Sequence, residues 1–93
     1  MDLFKKVKAA LRVTTDDEGI NEEIKTLMNA GIRDLSTTGI KNESDTLFEV
    51  AVITYCKANF AFDNPEAERL LDSYESMKRK MMNTKEYISE GQE

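Results

Sequence analysis

The chain has 93 residues, 40% of them hydrophobic and 33% charged, with a net charge of −5 and no histidine. That suffices for one domain with a thin core, and it is too apolar for a disordered chain. The net charge has the wrong sign for a protein that grips nucleic acid by its phosphates, and the commonest general base and metal ligand is absent.

One proline and four glycines leave few turns, so the pattern favours helices. The first spans about residues 2–12, with Asp2 as N-cap and Leu3, Val7, Ala10 and Leu11 on one stripe. MDLFKKVKAAL has no long apolar run, so we expect no signal peptide, and its stripe is better suited to a core than to a membrane surface. The second helix spans about 16–38. Thr15 and Glu18 stand at capping-box spacing, and the acidic run lies where the helix dipole favours it. Ile20, Ile24, Leu27, Met28, Ile32 and Leu35 form its apolar face, with Gly31 beside it for a close crossing. Gly39 fits the left-handed position after the helix, with Ile40 in reach of Leu35.

A third helix is expected at 45–62, capped by Ser44. Its apolar residues cover most of its circumference, which marks the central helix of a bundle. The fourth spans about 65–82. Asn64 reads as N-cap and Pro65 as the first helical residue, so Asp63, Asn64 and Pro65 make a tight bend between helices three and four. Ala67, Leu70, Leu71, Tyr74, Met77 and Met81 form the inner face. Phe60 and Phe62, two apart, cannot share a face, so one of them is free for a partner. The expected architecture is all-α: a small bundle of four helices over 1–82 and a polar, flexible tail over 83–93 whose apolar contacts are Tyr87 and Ile88.

No catalytic, cofactor or metal site is legible. Cys56 lies in an apolar run with no histidine to activate it. Asp16, Asp17, Glu18, Glu22 and Glu23 lack the ligand pattern and glycine of a calcium loop. The segment around Gly39 imitates a helix-turn-helix, but its second helix, DTLFEVAVITY, is acidic and apolar and carries no base-reading residues. No apolar run reaches membrane length, and the single cysteine suits a reducing, cytosolic setting.

"ALRVTTDDEGINEEIKTLMNAGIRDLSTTGI", an apolar helix and then "VITYCKANFAFDNPEAERLLDSYESMKRKM" resemble, in order and spacing, the head–tail connector proteins of tailed bacteriophages. The resemblance covers about residues 3–82. It implies a non-enzymatic virion component, put together in the host cytoplasm. Such connectors form a ring, commonly a dodecamer, beneath the portal protein, extend the DNA channel and dock a downstream head-completion or tail protein, and the resemblance implies the same role here. DNA would pass without specific binding along walls that do not attract it. The candidate subunit interface is basic Lys5 and Lys6 against acidic Asp16, Asp17 and Glu18, with Phe62. Tyr87 and Ile88 are the candidate portal-binding contacts, and the loop 38–44 is a candidate contact for the next protein. The competing reading from composition alone is a monomeric acidic helical module that regulates a host protein. A mimic of DNA is disfavoured, because thirteen Lys and Arg interrupt the acidic residues.

Overall fold

The computed structural model describes residues 3–41, 45–60, 64–84 and 87. Four α-helices follow in chain order: α1 (Leu3–Ala10), α2 (Glu18–Thr37), α3 (Thr46–Asn59) and α4 (Ala67–Met82). The all-α bundle expected from sequence is what forms. Asp2, Ser44, Phe62, Asp63 and Ile88 lie outside the described residues.

The middle of the bundle is α3. Phe48, Ala51, Val52 and Cys56 are fully buried, and α1, α2 and α4 each pack on it. Val7 of α1, Ile24 and Leu35 of α2, and Tyr74 and Met81 of α4 meet these residues in one core. At about 1.5–3 kcal/mol per buried large apolar side chain, this cluster supplies most of the driving force available to so short a chain. The one departure on α4 is Leu71, which the stripe assigns to the inner face but which is 37% exposed. Gly31 allows α2 to cross close to α3. A Cβ built there would lie 3.0 Å from the Tyr55 ring.

Both ends of α2 can be accounted for bond by bond. The Asp17 carboxylate accepts from Ile20 N–H at 3.1 Å and caps the helix, while Thr15 Oγ1 accepts from Asp17 N–H. The helix therefore begins two residues later than a Thr15 cap would set it: Thr15 is spent on holding Asp17. At the other end Gly39 has φ 89°. Its N–H reaches Ser36 O, and Ile40 N–H reaches Leu35 O. This is the Schellman arrangement expected for Gly39 and Ile40.

The same two bonds recur after α1, from Arg12 N–H to Ala9 O and from Val13 N–H to Lys8 O. Here the left-handed residue is Arg12, φ 62°, where a Cβ is disfavoured by roughly 1 kcal/mol. Helix α3 is capped by Asp45, whose carboxylate accepts from Leu47 N–H at 2.8 Å.

The start of α4 differs from the expected Asn64 cap. Asn64 Oδ1 accepts from Glu66 N–H, and Ala67 N–H bonds to Asn64 O. Pro65 and Glu66 thus form a turn before the first helical residue. Asn64 also donates to Lys57 O at 2.8 Å, tying the bend back to the end of α3.

The two Schellman ends make a paired prediction. Gly39→Ala should lower stability by about 1 kcal/mol, or several degrees of Tm. Arg12→Gly should leave stability unchanged or raise it by about 0.5 kcal/mol. Thermal melts followed by circular dichroism check both, and equal losses at the two sites would contradict the assignment.

Candidate docking surfaces

The described residues contain no group of three or more His, Cys, Asp or Glu side chains placed to hold a metal ion. The Cys56 thiol is buried, and burial pushes it up to about 11, away from the thiolate a nucleophile needs. The features that remain are contacts between elements and the surfaces those contacts leave open.

The first is a cluster joining α2 to α4. Tyr74 OH donates to Asp34 Oδ2 at 2.5 Å, and Lys78 Nζ donates to the same oxygen at 2.9 Å. Lys78 also pairs with Glu75 at 3.3 Å, and its ammonium lies 5.3 Å from the Tyr74 ring centre. Burial would raise the Asp34 carboxyl, but the bonds from Tyr74 and Lys78 outweigh it and hold the group below the usual carboxylate value. Burial, together with the Asp34 carboxylate, pushes the Tyr74 phenol upward. Lys78 is held charged by Asp34 and Glu75 against the opposing effect of burial.

Beside this cluster, α2 and α4 part. Between them runs an open groove of about 490 Å³, lined by Ala30, Arg33, Tyr55, Leu71, Tyr74 and Glu75.

The second feature lies at the far end of α3. Tyr87 is only 8% exposed and belongs to the core. Its hydroxyl donates to Asp45, the residue that caps α3. Its carbonyl accepts from Lys41 N–H at 2.5 Å, and its own N–H reaches Thr84 O. The Tyr87 hydroxyl, with Leu47 N–H, lowers the Asp45 carboxyl. Tyr87, which the sequence assigns to a free tail, is thus packed against the bundle, because an aromatic ring gains more from the α3 end than from water. The chain just after α2 and the chain after α4 are thereby joined.

The charged residues assigned to a subunit interface are partly engaged within the chain. Lys6 pairs with Glu49 of α3 at 2.6 Å. Asp16 accepts from Lys8 at 3.2 Å while remaining almost wholly exposed. Asp17 is the α2 cap. Lys5 and Glu18 are exposed. Of the bend, Asn64 and Pro65 are described and act as structural residues.

A family model described as a phage connector protein matches residues 3–88, nearly the whole chain. No curated protein and no solved structure matches it.

Two predictions follow from the packed residues. Tyr87→Ala should cost about 3 kcal/mol and Tyr87→Phe about 1 kcal/mol, read by urea unfolding. A chain ending at residue 84 should lose at least as much as Tyr87→Ala; unchanged stability in either would place the ring outside the core. Asp34 governs acid sensitivity. Its folded pKa lies below the unfolded value, so its bonds contribute fully above about pH 4 and are lost as the pH falls through the folded value. Asp34→Asn should therefore lose less stability than the parent between pH 7 and pH 3. The difference should be no more than about 1 kcal/mol, since the carboxylate is partly exposed. Identical acid profiles would refute the role.

Proposed function

This chain belongs to the phage connector protein family, and from that premise we propose that it forms a ring under the portal protein of a tailed phage, extending the DNA channel and docking the next head-completion or tail protein. The family match along almost the full length of the chain is the observation that carries this reading. The family is one of structural virion components, and no helix among the described residues is long and apolar enough to cross a membrane. The net charge of −5 suits a wall past which DNA slides without being held.

The ring, commonly a dodecamer in such connectors, is built in the host cytoplasm in this reading. The last residues, with Ile88 as their apolar contact, face the portal, and Tyr87 anchors them to the body. Because Lys41 and Tyr87 are hydrogen-bonded, the loop after α2 lies at that same end. In this reading the end of α2 would then go with the portal-proximal contacts rather than with those for the next protein. The next protein then meets the opposite end, where Asp16, Asp17 and Glu18 are exposed at the start of α2.

Electron microscopy of the purified protein mixed with the portal protein from the same genome tests this. A ring of density coaxial with the portal is expected, and its symmetry gives the number of subunits. A bare portal at high protein concentration and low salt would overturn the proposal and favour a monomeric module acting on a host protein.

A further inference from the structure

Three large apolar side chains stand out as exposed among the described residues: Val50, Leu71 and Met82. Two of them lie on opposite faces of the molecule. Leu71 lines the groove between α2 and α4, whose floor is Tyr55 of α3. Val50 lies on α3 itself. At about 100° per residue, Val50 is roughly 140° around the helix from Tyr55, so it faces away from the groove. Lys57, seven residues on, falls within about 20° of Val50. Thr46, Val50 and Lys57 are all exposed and make a strip that α1, α2 and α4 leave uncovered.

The α4 side of the groove and the α3 strip carry opposite charge. Leu71 is flanked one turn away on either side by Glu68 and Glu75, and next to it by Asp72, all exposed. Glu68 and Asp72 have no ion pair among the described residues, and neither has Lys57. A groove whose α4 rim is acidic, with Arg33 across it on α2, and an apolar strip with a lysine on the other face are complementary along that α4 rim. Neither is complementary to itself.

We propose that the α3 strip of one copy seats on the α2–α4 groove of the next, Val50 against Leu71 and Lys57 against the rim of Glu68, Asp72 and Glu75. The occupant of the groove is thus a second copy of this chain. The pairing is heterologous, so each copy keeps one patch free for a further neighbour, and the chain of contacts ends only by closing into a ring. The inference rests on the ring reading above and assigns its interface. It differs from the pairing of Lys5 and Lys6 with Asp16, Asp17 and Glu18, since Lys6 and Asp16 already have partners within the chain.

Cross-linking between copies tests it. Val50→Cys and Leu71→Cys are surface changes, and the native Cys56 is buried and does not compete. With a short bis-maleimide, a mixture of the two single variants should give a covalent dimer, each variant alone should stay monomeric, and the double variant should give a ladder of multimers. Lys57→Glu should reduce the yield about two- to fivefold, and adding Asp72→Lys should restore it. The same samples are imaged with the portal protein. Rings without a Val50–Leu71 cross-link overturn this interface and leave the ring reading standing. Cross-linked ladders without rings on the portal support the pairing and overturn the ring reading. Dimers from either single variant alone overturn the heterologous pairing, and the absence of both rings and cross-links overturns both.

Discussion

A fourteen-residue helix that is apolar on nearly every side is stable in water only when other elements cover it. Helix α3 is that helix, and the rest of the molecule is arranged around its needs. With three helices available, each can cover only one sector of it. Helix α2 comes close through Gly31, which sits against the Tyr55 ring. Helix α4 buries Tyr74 and Met81, and α1 supplies Val7. The N-terminal end of α3 is still open after that, and Tyr87 returns to fill it.

Covering α3 in this way keeps α2 and α4 from packing fully on each other. Both lean on the central helix, and the space between them would be open along its length. The Asp34–Tyr74–Lys78 cluster bridges it at one place. A phenol, a carboxylate and an ammonium can cross a gap that aliphatic side chains cannot close, and they satisfy one another while doing so. A partly exposed cluster of this kind contributes little net stability compared with the core. Its larger effect is to fix the separation of the two helices, and so the width of the groove beside it.

The parts of this fold that depend on local spacing were legible in the sequence. The four helices follow from apolar periodicity, and the end of α2 follows from Leu35, Gly39 and Ile40, because a left-handed glycine has few other uses after a helix. The starts of the helices were less legible. In TTDDE several side chains can cap, and only the bond from Asp17 N–H to Thr15 shows which one is free to do so. Ser44 and Asp45 posed the same ambiguity. Nothing marks Arg12 as left-handed, since arginine is not selected for that conformation. The interactions between distant residues were not legible at all. Asp34 and Tyr74 are 40 residues apart and Asp45 and Tyr87 are 42. A lone tyrosine in a polar segment has no periodicity to announce that it is core. The groove was missed for the same reason: Leu71 lies within the apolar stripe of α4, and only the distance between α2 and α4 leaves it exposed.

A chain this short has little apolar surface to spare, which gives meaning to where it leaves some uncovered. Val50 lies on a strip of α3 that stays exposed among the described residues, and Leu71 lies where two helices part. Both exposures follow from the same cause, three helices around a four-sided centre. By helical geometry they also face away from each other. Copies joined through these two patches, as proposed above, would each bury part of what the other leaves exposed. For a chain of the phage connector family, the proposed pairing would thus tie the burial of Val50 and Leu71 to assembly itself.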